Sequence, residues 1–142
     1  MTEAAKHEPW TRAMLEARCE RSPFVSFLGL RVVAMDHEKQ ELSMTMPFRP
    51  EFRRGAESEQ WHGGIIAAAI DTVGDYGLAM LLGRPLPTIT FSVDYLRPAA
   101  RTTLTIVARV RRNGRSVGVV DVEVLTHEAQ LVAIGRAVYS TL

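Results

Sequence analysis

The run from Gly63 to about Leu82 constrains this chain more than any other feature. Ile65, Ile66, Ala68, Ala69, Ile70, Val73, Leu78, Met80, Leu81 and Leu82 leave it almost no polar face. An α-helix apolar nearly all round has to be enclosed by the rest of its protein. The segments after "GRPLP" suit that task, because the hydrophobic period there drops to two. "TITFSVDYL" alternates Ile89, Phe91, Val93 and Tyr95 against Thr90, Ser92 and Asp94. "TTLTIVARVRR" sets Leu104, Ile106, Ala108 and Val110 against Thr103, Thr105, Arg109 and Arg111. "RSVGVVDVEVLT" and "LVAIGRAVYSTL" read as two further strands, with Asn113-Gly114 as a hairpin signal between the second and third.

Upstream, residues 9–21 read as a short helix, with Pro9 in its first turn and Trp10, Met14, Leu15 and Ala17 as its stripe. Pro23 is expected to break it. "LRVVAMD" and "ELSMTMPF" then read as two strands joined by a turn at "DHEKQ", the second placing Leu42, Met44 and Met46 on one face. Hairpin-linked strands imply an antiparallel sheet. The fold class expected is therefore α+β: one curved six-stranded antiparallel sheet wrapped around one long central helix, with a short N-terminal helix. The domain is expected over 9–142, after a disordered tail at 1–8. The free edges and outer face of such a sheet predict self-association.

A chain of 142 residues can bury roughly two-thirds of its unfolded surface and needs no covalent staples. The formal net charge of +1 argues against a nucleic-acid partner, which calls for a concentrated basic face. The single cysteine, Cys19, excludes an internal disulfide and lies in the charged stretch "EARCERS" without an obvious activating partner. The polar N-terminus is no signal peptide, and no apolar run is expected to approach the ~20 residues of a membrane span. A cytoplasmic protein without a membrane partner is expected. None of the histidines, His7, His37, His62 and His127, pair at metal-ligand spacing, so no metal or other cofactor is expected.

The chemistry concentrates in "WHGGIIAAAID", residues 61–71. Helix starts expose backbone N–H groups and partial positive charge, and glycines let a ligand approach them. A carbonyl oxygen against the Gly63 or Gly64 N–H would be polarised, and a developing oxyanion stabilised further. A tight turn into the helix would also explain both glycines. Asp71 is harder to explain structurally, since an unpaired carboxylate on a buried helix is costly. It can pair with an arginine or act as base or nucleophile. Asp75, one turn on, repels Asp71 if both are ionised, so one of the two should keep its proton more tightly. Gly64 and Asp71 are two turns apart, about 10 Å along the axis. One reacting carbon cannot touch both, so either they serve different ends or Asp71 meets the glycines of a second subunit. His62 suits a positioning role, binding nearby backbone. Arg111, Arg112 and Arg115 around the hairpin "RRNGRS" are either a solvated tip or a phosphate clamp.

"WHGGIIAAAIDTVGDYG", "TITFSVDYLRPA" and "RRNGRSVGVVDVEV" together resemble the hotdog-fold acyl-CoA thioesterases of the PaaI-like type, from about Phe27 to the C-terminus. The resemblance implies a helix wrapped by a sheet, a homodimer or homotetramer with sites at the subunit interface, and hydrolysis of an acyl-CoA thioester to free acid and CoA without a cofactor. By position it makes Asp71 the catalytic acid, Gly63 the oxyanion donor, His62 the support of that turn, and Thr88 a hydroxyl that helps orient water. The hairpin residues Arg112, Asn113, Gly114, Arg115 and Ser116 fall where relatives hold CoA. The chain departs from the family at Ala56, where relatives often carry Asn or Gln six residues before the histidine; Gln60 is the nearby substitute. That departure keeps a non-catalytic acyl-CoA-binding module as the alternative. The aromatic residues that could line an acyl pocket do not identify the acyl group.

Overall fold

The structure is a computed structural model and describes residues 6–142. The expected tail at 1–8 lies largely outside the described residues. Two short helices, α1 (Arg12–Arg21) and α2 (Pro23–Leu28), precede strands β1 (Arg31–Asp36) and β2 (Glu41–Met46). A loop with one 3-10 turn at Pro50–Phe52 leads into the long helix α3 (Gly63–Leu82). Four strands follow: β3 (Thr88–Tyr95), β4 (Leu104–Asn113), β5 (Val117–Thr126) and β6 (Leu131–Ser140). They form one antiparallel sheet in the order β1-β2-β4-β5-β6-β3, so α+β with a wrapped central helix is the architecture observed.

The alternation in β2 and β4 decides what the sheet turns toward α3. Leu42, Met44 and Met46 pair with Ala108, Ile106 and Leu104, and all six are fully buried. Val120, Val122 and Val124 of β5 continue that floor under Ala69, Ile70 and Val73 of the helix. The polar positions of the same strands form two ion-pair ladders on the outer face. Arg109 joins Glu41 at 3.1 Å to Glu123 at 3.0 Å, and Asp121 joins Arg111 at 2.8 Å to Arg136 at 2.6 Å.

Four expectations need correction. The first helix begins at Arg12 rather than Pro9, because the Thr11 hydroxyl caps it by accepting from the Met14 N–H at 3.2 Å. Trp10 instead plugs the core ahead of the helix, its N–H donating to the Met80 carbonyl at 2.8 Å. Leu15 and Cys19 face inward, while Met14 is exposed.

Pro23 ends α1 but also opens α2, since proline suits the first helical position and Ser22 caps it through the Val25 N–H.

β3 does not bury one face. Ile89, Phe91 and Tyr95 are exposed and only Val93 is half-buried, because β3 joins the sheet at its outer edge beside β6.

Finally, α3 has the length and apolarity of a membrane span. The sheet packed against it already covers ten of its residues, from Ile66 to Met80.

Candidate functional site

α3 starts where the loop before it is tied down. Phe52 stacks on Trp61 with ring centroids 5.5 Å apart, and the Trp61 indole N–H donates to the Thr102 carbonyl at 2.9 Å. The His62 N–H donates to the Phe52 carbonyl at 2.7 Å. This fixes His62 as the cap of α3, where its Nδ1 accepts from the Gly64 N–H at 2.9 Å. Of the two glycine amides considered from the sequence, the Gly64 N–H is therefore engaged. The Gly63 N–H has no acceptor among the described residues. A side chain at Gly63 would press on the Tyr95 ring, 3.2 Å from the position a Cβ would take. The Tyr95 hydroxyl donates to the Gly63 carbonyl at 2.5 Å.

Gly63 lines a cleft of about 490 Å³ together with Gln60, Trp61, Ile66, Tyr95 and the 96–99 segment. Gln60 is half-buried, and its Oε1 accepts from Arg54 Nη1 at 3.3 Å, which leaves the amide NH2 as a donor. Ala56 lies exposed on the preceding loop and does not line this cleft.

Asp71 lies further along α3 and is half-buried. Thr88, the first residue of β3, donates its hydroxyl to Asp71 Oδ1 at 2.9 Å. Tyr139, the register partner of Thr88 on β6, is fully buried. Its hydroxyl donates to the Asp71 backbone carbonyl at 2.7 Å and lies 3.5 Å from Oδ1. Gly74 makes room for it, since a Cβ there would come within 2.4 Å of that oxygen. Burial, and after it the negative charge of Asp71, push the Tyr139 phenol well above its ordinary value, so it stays a neutral donor.

Asp75 has a different role. Its Oδ1 accepts from the Leu86 N–H at 3.0 Å and closes the loop after the helix. Burial raises its pKa to about 7, with the nearby charge of Asp71 adding to the effect. Asp75 therefore keeps its proton more tightly than an ordinary carboxylate. Burial likewise pushes the Cys19 thiol up to about 11, which leaves it a core side chain rather than a nucleophile.

The structure thus gathers Gln60, His62, Gly63 and Gly64 at one place and Asp71 with Thr88 at another. Asp71 does not line the cleft at Gly63, and eight residues of helix separate them by about 12 Å. The hairpin Arg112 to Ser116 lies at the other end of α3. Gly118, the partner of Asn113, packs on Leu78. Among the described residues no three His, Cys, Asp or Glu side chains converge as a metal centre would require. Tyr139 and Tyr95 were not singled out for these roles from the sequence. Each acts on a residue more than thirty positions away, and no local pattern announces that.

A family model described as the thioesterase superfamily matches residues 60–133, just over half of the chain. The acyl-coenzyme A thioesterase PaaI of Escherichia coli is 30% identical over 136 residues, covering 92% of this chain and 89% of that one. The solved structure of the E. coli PaaI protein, from the phenylacetic acid degradation operon, superposes with a TM-score of 0.81 at 28% identity. It covers 98% of this chain and 96% of that one. Another solved protein of the thioesterase superfamily gives a TM-score of 0.86 at 33% identity, over 92% of this chain and 98% of its own.

Proposed function

The chain belongs to the thioesterase superfamily, and from that premise we propose that it hydrolyses an acyl-CoA thioester at a site completed by a second copy of itself. One observation carries the reading. An unengaged helix-start amide at Gly63 and a carboxylate at Asp71 lie on one helix, too far apart to act on a single carbon. Two α3 helices packed antiparallel across a two-fold axis would bring each Asp71 to the other's Gly63. The exposed edge strand β3, carrying Ile89, Phe91 and Tyr95, supports such pairing, because an uncovered edge invites it.

In this reading the thioester carbonyl oxygen accepts from the Gly63 N–H, with the Gln60 amide as second donor in place of the polar residue absent at Ala56. His62 holds the turn by engaging Gly64. Asp71 of the partner subunit either takes a proton from an attacking water or attacks the carbonyl carbon itself. In the first route the C–S bond breaks as the tetrahedral intermediate collapses. In the second an acyl-aspartyl anhydride forms, and water then hydrolyses it. Both release the free acid and the CoA thiolate, a good leaving group that then takes up a proton. Thr88 holds Asp71 Oδ1, which leaves Oδ2 for the reacting atoms.

An antiparallel helix pair would also set the partner's hairpin, with its Arg112 and Arg115, about 10 Å beyond Gly63, as far as Leu78 lies past Asp71 on the helix. There Arg112 to Ser116 would take part of CoA. Release of free thiol from a panel of aryl, short-chain and long-chain acyl-CoA esters tests the activity. Asp71→Asn should lower turnover by at least about 100-fold while the thermal unfolding transition survives. Near-normal turnover in that variant would remove Asp71 from the mechanism.

A further inference from the structure

The cleft at the start of α3 is charged with one sign only. Its lining residues include Arg54 and Arg97 and no carboxylate. A second cleft of the same volume, about 490 Å³, lies between α1, α2 and β1, and there Glu16 and Glu20 face Arg12 and Arg31. Of the nearby arginines outside the α3 cleft, Arg49 pairs with Glu51 at 3.6 Å and Arg101 with Glu59 at 3.2 Å, while Arg53 turns back to the Pro50 carbonyl at 3.0 Å. Arg54 reaches only a neutral acceptor, the Gln60 amide oxygen. Arg97 makes no ion pair among the described residues, and only its backbone N–H is engaged, by the Val132 carbonyl at 3.3 Å. Between these cations the wall offers the apolar side chains of Trp61, Ile66, Leu96 and Pro98 beside the uncharged polar groups of Gln60 and Tyr95.

Such a cleft suits a ligand with an apolar stem and an anionic end. We propose that Arg54 and Arg97 form an anion subsite for the substrate at this cleft. The inference rests on the thioesterase reading above. An acyl-CoA offers the required chemistry from two sources: a carboxylate borne by the acyl group, or a phosphate of CoA. Guanidinium groups accept either through paired N–H donors.

Four thioesters separate the sources: pentanoyl and glutaryl groups, each carried on CoA and on N-acetylcysteamine, which has no phosphate. The measurement is kcat/KM for the wild type, Arg54→Ala, Arg97→Ala and the double variant, with thermal unfolding checked for each. The expected loss is about 10- to 100-fold per arginine on substrates that carry the bound anion. If the anion is the acyl carboxylate, both glutaryl thioesters suffer relative to their pentanoyl counterparts. If it is a phosphate, both CoA thioesters suffer relative to their N-acetylcysteamine counterparts. Either pattern supports the subsite. An equal loss on all four, or no loss on any, overturns it while leaving the thioesterase reading intact. A wild-type protein that releases thiol from none of them, nor from any of the aryl, short-chain and long-chain acyl-CoA esters, overturns that reading and the subsite with it.

Discussion

Thr88 Oγ1 donates to Asp71 Oδ1 at 2.9 Å, joining the edge strand β3 to the central helix α3. The bond fixes one carboxylate oxygen and so the direction of the other. Thr88→Val should lower kcat about tenfold or more, the cost of a hydrogen bond to a charged group. KM should change little. Thr88→Ser should keep most of the activity, because it keeps the donor. Steady-state kinetics on any accepted thioester reads both variants.

Gly74 and Tyr139 form a second checkable pair. A Cβ at Gly74 meets the Tyr139 hydroxyl at 2.4 Å but the ring carbon Cζ at an ordinary 3.4 Å. Gly74→Ala should therefore destabilise the wild-type protein by about 1–3 kcal/mol through overpacking. Tyr139→Phe alone should cost about 1 kcal/mol for its lost hydrogen bond. In the double variant the collision is gone, so the two losses should not add. Chemical denaturation of the four proteins gives the coupling energy.

Asp75 should make stability depend on pH. Its pKa of about 7 in the folded protein lies well above the ordinary carboxylate value of 3.8, mainly because burial disfavours its charged form. Between those values the folded chain binds more protons than the unfolded one. The contribution of Asp75 to stability is therefore fully present below about pH 4 and is lost as pH rises through about 7. Asp75→Asn can still accept from the Leu86 N–H through its carbonyl oxygen. It should flatten the decline between pH 5 and 8, seen as a gain in Tm over wild type that is larger at pH 8. An identical pH slope in both proteins would contradict this assignment.

The parts of the fold legible in the sequence were those set by one dominant local signal. α3 ends at Gly63 and Leu82 because the apolar run does, and β2 and β4 bury the residues their alternation selects. α2 was hidden because Pro23 serves equally as a stop and as a first helical residue. The exposure of β3 was hidden for another reason. Alternation identifies a strand, but its neighbours depend on a sheet order that places β3 next to β6 rather than β4. At the candidate site, the sequence singled out Asp71, Thr88 and the glycines, which sit in recognisable stretches. Tyr139 stayed out of view because it reaches Asp71 across 68 residues. The engagement of the Gly64 amide by His62 depends on which way the imidazole turns at the cap.

The shared site is tested most directly by mixing two inactive proteins. One is Asp71→Asn. The other is Gly63→Pro, which deletes the helix-start N–H and suits the backbone at the first position of α3, since His62 already has the extended conformation (φ -67°, ψ 129°) that a following proline prefers; the exposed Tyr95 ring must shift by a few tenths of an ångström to admit it. Neither variant should release thiol efficiently alone. After unfolding and refolding together, half of the dimers should be mixed, and each mixed dimer should hold one intact site of its two. About a quarter of wild-type activity should then return. Mixed dimers that form, as native mass spectrometry would show, and yet restore nothing would contradict a site built from Gly63 of one subunit and Asp71 of the other.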